Sequence, residues 1–239
     1  MFTPRTPAST RTGTHPHPHA HARTHGGTRA GGATSAPLGP VRLGVHGSAH
    51  LASRLVSAAG HAQESVEYVP YDVTEPFAPL RAGRMDIMIV KYDPREADIA
   101  LSEPVGFDGR AVLVGAHHPL AGRAAVSIEE VAKYEAFRCP GEFPPHVWDL
   151  VVPPRTPRGR AVRRVHPMTT LTAMTRLLRS TSAVHVSFQS LEAVVPPDIE
   201  VVPVHDLPPS PVTFAWLRDI EPPAHVRQFV ADAERAAQR

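Results

Sequence analysis

Two short stretches carry residue types suited to holding an anion. "VRLGVHGSAH" runs from an apolar strand over residues 41–45 into His46, Gly47 and Ser48, with Ser48 in the N-cap position of the segment that follows. "RVHPMTT" ends on Thr169 and Thr170, immediately before an amphipathic run. A helix N-terminus presents unpaired backbone N–H groups and the positive end of the helix dipole, so hydroxyls placed there can share a carboxylate with the amides. The same hydroxyls would serve equally well as plain caps. "VKYDP" adds Lys91 and Tyr92 at the carboxyl end of an apolar strand. The chain has two lysines, Lys91 and Lys133, against 23 arginines, which makes Lys91 either a counter-ion for an acidic ligand or a solvated strand end.

Other chemistry finds little support. The chain holds 15 histidines, and the run "HPHPHAH" offers ligand types for loose nickel or zinc chelation, but it lies in a stretch of low-complexity composition. In "VGAHHPLAG", His117 and His118 are adjacent, and consecutive side chains of an extended segment point to opposite faces, so the pair does not grip one metal. That stretch reads as a connection between two halves of the molecule. The single cysteine, Cys139, excludes an internal disulfide and a cysteine-cluster zinc site. There is no nucleophile elbow, no H-E-x-x-H, no phosphate-binding P-loop and no dinucleotide fingerprint, so no cofactor or metal is expected. An enzyme is the alternative reading; it would use His46, Ser48 or Lys91 in acid–base roles.

The bulk composition bounds the class. At 239 residues and 42% hydrophobic, the chain can bury a sizeable core, and 27 prolines break it into many short elements. Residues 1–38 combine Thr, Pro, His, Gly and Arg with almost no large apolar side chain, and are expected to be a disordered arm. Four arginines and no acid fall in the first 40 residues, which leaves 21 basic against 23 acidic residues in the body. A slightly acidic body lacks the basic stripe of a nucleic-acid-binding domain, so direct DNA binding is not expected. With neither a secretory signal nor a run long enough to span a membrane, a cytoplasmic location follows.

The positioning elements are those of an α/β protein. A strand over 41–45, a helix over 48–60 stopped by Gly60, a strand at "VEYVPY", a helix at "EPFAPLRAGR" with Pro76 in its first turn, and the buried strand "MDIMIV" give βαβαβ. "GRAVLVGA" is a fourth strand. A second α/β pattern begins at "VSIEEVAKY", where Ser127 and Glu130 have capping-box spacing. It continues through "EAFRCP", the helix "TTLTAMTRLLRS" and the strand "AVHVSF"; "IEVVPV", "VTFAWLR" and a closing helix with Val226, Phe229 and Val230 inward complete the chain.

"EPFAPLRAGRMDIMIV", "AVLVGAHHPLAG", "VSIEEVA", the helix after Thr169 and "VVPVHDLPP" together resemble the effector-binding domain of LysR-type transcriptional regulators, over residues 41–239. The resemblance implies a periplasmic-binding-protein type 2 fold: two α/β lobes joined by two crossover strands, with a small-molecule cleft between them. The expected lobes are 41–115 plus 207–239, and 116–206. It also implies that Lys91, Tyr92, Cys139 and Phe143 lie near the cleft and that Ser187 and Phe188 lie beside the crossover, where Phe188 could stack on an aromatic effector. Regulators of this family carry an N-terminal winged helix-turn-helix, which the arm before Val41 does not resemble. The expected protein is thus an effector domain for a small, anionic metabolite, acting as a homodimer or with a separate DNA-binding protein.

Overall fold

Strand β1 (Val41–Val45) sends Val41, Leu43 and Val45 into one core, and the chain passes through His46 and Gly47 into helix α1 (Ala49–Ala58). The structure, a computed structural model, describes residues 39–47 and 49–239; the expected arm, its histidine run and Ser48 lie outside the described residues. Helix α1 buries Ala52 and Val56 completely, with Leu51 and Leu55 flanking them half-buried, so its inward face is centred on the small residues rather than the leucines. Strand β2 (Val66–Pro70) pairs in parallel with β1. The helix expected at "EPFAPLRAGR" is reduced to a single turn, α2 (Ala78–Arg81). Pro76 and Pro79 have no N–H to donate, so i→i−4 bonding starts only at Arg81 N to Phe77 O, and Gly83 at φ +67° ends it. Phe77 and Leu80 still point inward.

Strand β3 (Ile87–Lys91) shows why its sequence is apolar at every step: Ile87 and Ile89 face one core, Met88 and Val90 the other. A sheet covered on both faces needs this, because alternate side chains leave on opposite sides. Two short strands, β4 (Ile99–Leu101) and β5 (Gly106–Asp108), follow. The chain then enters a second sheet with β6 (Arg110–Gly115), α3 (Ile128–Val131), β7 (Glu135–Phe137), α4 (Pro145–Val151), β8 (Arg163–His166), α5 (Leu171–Ser180), β9 (His185–Phe188) and β10 (Ile199–Pro203). It returns through β11 (Ser210–Leu217) and ends in α6 (Ala224–Ala237).

The first sheet has the order β2-β1-β3-β11-β4, with β5 also on β11; β1, β2 and β3 are parallel and β11 runs antiparallel to β3. The second has the antiparallel order β10-β6-β9, and β7 and β8 form a parallel pair beside it. The molecule is therefore two α/β lobes crossed twice by the chain, once between Asp108 and Arg110 and once between Pro203 and Ser210.

This moves one expected boundary. The sequence pattern places strand β6 in the first lobe, ending at Gly115, but it hydrogen-bonds to β9 and β10 and gives Val112, Leu113 and Val114 to the second core. The "HHPLAG" turn lies inside the second lobe, where buried His118 packs edge-on against Tyr134 at 4.3 Å and accepts from Leu120 N, while His117 stays exposed. The real crossing, at Gly109, has no proline–glycine signature. The Ser127–Glu130 capping box is present as spaced, and Asp206 adds bonds to Ser127 Oγ and Ile128 N.

Candidate functional site

A cavity of about 410 Å³ opens between the two lobes. One wall is built from the carboxyl ends of β1 and β3, with His46, Gly47, Tyr71, Phe77, Lys91 and Tyr92. The other is built from α4, the start of α5 and the end of β9, with Phe143, Trp148, Thr169, Thr170, His185 and Phe188. Ligands of open α/β sheets bind outside the carboxyl ends of strands, where side chains can converge without interrupting the hydrogen-bonded ladder. Most of the lining is aliphatic, aromatic or methionine.

Gly47 is required at its position. It has φ +74°, and a Cβ built there would lie 2.7 Å from Leu191 Cδ2 on the facing lobe. Next to it, His46 Nδ1 donates to Tyr71 O at 3.2 Å, and burial holds the imidazole below its usual pKa despite that bond. Tyr71 in turn donates from its hydroxyl to Ile89 O at 2.9 Å, and burial pushes that phenol up.

Lys91 is not free. Its Nζ lies 2.6 Å from Asp108 Oδ2, donates to Ser190 Oγ at 3.2 Å and sits 3.9 Å above the centre of the Phe188 ring. Burial lowers the lysine pKa, and Asp108 opposes that shift. Tyr92 holds a left-handed φ of +69°, a conformation a tyrosine adopts only where its surroundings impose it. Its hydroxyl accepts from Arg110 Nη1 at 3.0 Å.

Arg110 is the hub of this corner and is 2% exposed. Beyond Tyr92 it donates to Leu150 O at 3.0 Å, to Val151 O, and through Nε to Ser187 O at 3.3 Å, and its guanidinium lies 5.2 Å from the Phe188 ring centre. Leu150 and Val151 close α4, so their carbonyls have no i+4 partner within the helix, and the guanidinium caps them. One buried cation thereby ties the crossing, the end of β3 and the helix that carries Trp148.

On the second lobe, Thr170 is the N-cap of α5, its Oγ1 accepting from Ala173 N at 3.1 Å, and Thr169 is exposed beside it. Phe143 meets Trp148 edge-on at 6.0 Å. His185 is stacked on Trp148 at 6.2 Å and edge-on to Phe137 at 5.5 Å; burial drives its pKa down to about 3, so the ring is neutral at ordinary pH. His185 Nδ1 and Trp148 Nε1 are both buried without a hydrogen-bond partner. Buried polar atoms left in this state are costly, about 1–3 kcal/mol each, and are found where function keeps them.

Of the residues singled out in the sequence, His46, Gly47, Lys91, Tyr92, Phe143, Thr169, Thr170, Ser187 and Phe188 line the cavity. Cys139 does not: its Sγ donates to Phe143 O at 3.2 Å behind the wall, and burial pushes the thiol up, away from nucleophilic character. Sequence reasoning missed Trp148, His185, Asp108 and Arg110. Two signals were available: a lone arginine opening the apolar run "AVLVG" must be paired if buried, and the two prolines before "HVWDL" suit a helix start. Among the described residues, no cluster of His, Cys, Asp or Glu has the arrangement of a metal site, and no helix is long and apolar enough to cross a membrane.

The family model for the LysR substrate binding domain matches residues 35–238, and the chain belongs to that family, with its periplasmic-binding-protein type 2 fold. No curated protein sequence matches significantly. Among solved structures, full-length CbnR in complex with its target DNA superposes with a TM-score of 0.62 at 18% identity, covering 83% of this chain and 68% of that one. The effector-binding domain of QuiR in complex with shikimate gives 0.60 at 18%, covering 84% and 97%. The effector-binding domain of BenM with its effector benzoate gives 0.59 at 16%, covering 82% and 90%. At these identities the likeness establishes the fold.

Proposed function

We propose that this chain is an effector sensor in transcription regulation, binding a small organic acid between its lobes and passing the signal on through association with a second copy or with a DNA-binding chain in the cytoplasm. The lobes are 41–108 with 210–239, and 110–203. The single observation that carries the reading is the cavity itself: it opens where two strand ends of one lobe meet the first turn of α5 in the other. An apolar body would lie among Phe77, Trp148 and Phe188, and an acidic head would lie at Thr169, Thr170 and the α5 amides, where the helix dipole favours negative charge. The solved neighbours in complex with shikimate and with benzoate, both carboxylic acids, support the choice of ligand class. All the neighbours described are regulators or their effector domains, which supports a binding role over a catalytic one.

The test is a thermal-shift screen of aromatic and alicyclic carboxylates, shikimate and benzoate included. A true effector at a hundred times its Kd adds about 3 kcal/mol of stability. That stabilisation should weaken in Thr169→Ala and Thr170→Ala proteins, with the compound recovered unchanged. Turnover of the compound would establish an enzyme instead, and a screen in which no acid stabilises the protein would refute the acid-sensor reading.

A further inference from the structure

Among the described residues lining the cavity, Lys91 is the only lysine or arginine and so the one ammonium that could pair with an anion, while burial holds the His46 and His185 imidazoles below their usual pKa. That charge is already matched. Asp108 Oδ2 lies 2.6 Å from Nζ, and Asp108 is itself 6% exposed, held from behind by Ser190 N at 3.2 Å to its other oxygen. Arg110, one step further back, is committed to three carbonyls and the Tyr92 hydroxyl. Asp72 adds a carboxylate at the rim. What remains for an incoming anion is the first turn of α5 beside Thr170, a fixed partial charge of roughly half a unit.

We propose that Asp108 sets the charge of the ligand: by neutralising Lys91 it makes the cavity a receptor for a singly charged acid with an apolar body, and it excludes dianions of the same skeleton. This rests on the reading of the cavity as the effector site. One carboxylate is accommodated by the helix end. A second would have to shed its water against apolar walls and then share the Lys91 ammonium with a carboxylate already in contact with it. Two anions on one buried cation repel, so the second charge weakens binding. Asp108 does not line the cavity. It acts through Lys91 as a specificity-determining residue.

The experiment measures binding of benzoate, phthalate and monomethyl phthalate to the full chain by titration calorimetry, in the wild-type and Asp108→Asn proteins. Monomethyl phthalate is bulkier than phthalate but carries one charge, so it separates charge from size. The expected result is that wild type binds the two monoanions about tenfold or more tighter than phthalate, and that Asp108→Asn narrows this gap by about tenfold by freeing the lysine. Should the variant fail to fold, the wild-type comparison of phthalate with its monoester still decides. The proposal is overturned if phthalate binds wild type as tightly as its monomethyl ester, or if a folded Asp108→Asn protein keeps the wild-type ratio. Should none of the three acids bind either protein, the proposal is overturned for this ligand skeleton, while the acid-sensor reading is decided separately by the wider carboxylate screen.

Discussion

Replacing Arg110 by methionine keeps a long unbranched side chain in place while removing every donor of the guanidinium. The structure sets the consequences. Leu150 O and Val151 O at the end of α4 lose the group that caps them, Ser187 O loses its bond from Nε, and the Tyr92 hydroxyl loses its donor. Orphaning a buried acceptor costs about 1–3 kcal/mol, and bonds to a charged donor lie in the upper part of that range. Relief from burying a cation opposes this, since desolvating a guanidinium costs several kcal/mol. With the Val151 carbonyl buried and the Leu150 carbonyl partly buried, the orphaned acceptors win, and the expected net loss is about 3 kcal/mol. Arg110→Lys, which can reach one acceptor at a time, should lose about half as much. Urea unfolding followed through Trp148, which rides on α4 itself, reads this as a midpoint lowered by about 1–2 M. A methionine variant within about 1 kcal/mol of wild type would show that the α4 carbonyls do not depend on the guanidinium, and the hub argument would fail.

Two further expectations follow from single observations. Burial holds His185 at a pKa of about 3, so between pH 6.5 and pH 3 the unfolded chain binds a proton that the folded one refuses. Stability from this group is complete above pH 6.5 and is lost as pH falls, by about 1.4 kcal/mol per unit. His46 and His118 are shifted in the same direction, so His185→Phe should reduce the slope of unfolding free energy between pH 6.5 and 4.5 by one proton's worth rather than abolish it; an unchanged slope would refute the assignment. At Gly47, φ +74° and the 2.7 Å approach of Leu191 to a hypothetical Cβ make Gly47→Ala unfavourable twice over. It should cost about 1–2 kcal/mol from backbone strain alone, and pairing it with Leu191→Ala should recover only the steric part in calorimetry.

Much of the fold could be read directly because its elements follow local rules. Strand β3 is apolar at consecutive positions, α6 repeats Val226, Phe229 and Val230 on one face, and the Ser127–Glu130 spacing marks the start of α3. Period and capping chemistry are properties of neighbours in sequence, so they survive without tertiary information. Short elements such as β4, β5, α4 and β8, three to seven residues long, repeat their period too few times to stand out in the sequence. The assignment of β6 to the wrong lobe has the same origin: a strand's sequence states that it is buried, not which partner it pairs with, and partner choice is made by β9 and β10 more than seventy residues away.

The site divides along the same line. Strand and helix ends marked His46, Gly47, Thr169 and Thr170 as cleft candidates, because such termini are where an α/β chain must leave groups unpaired, and the family resemblance added Lys91, Tyr92, Cys139, Phe143, Ser187 and Phe188. What those residues can do there depends on the neighbours that folding gives them. Lys91 reads in sequence as either a counter-ion or a solvated strand end, yet Asp108 from the crossing pairs with it; Cys139 is placed near the cleft by the resemblance, yet it packs behind Phe143. His185 is one of many histidines until burial between Phe137 and Trp148 removes its proton. Charge state and accessibility are set by atoms distant in sequence that folding brings within a few ångströms, and no local pattern encodes that proximity.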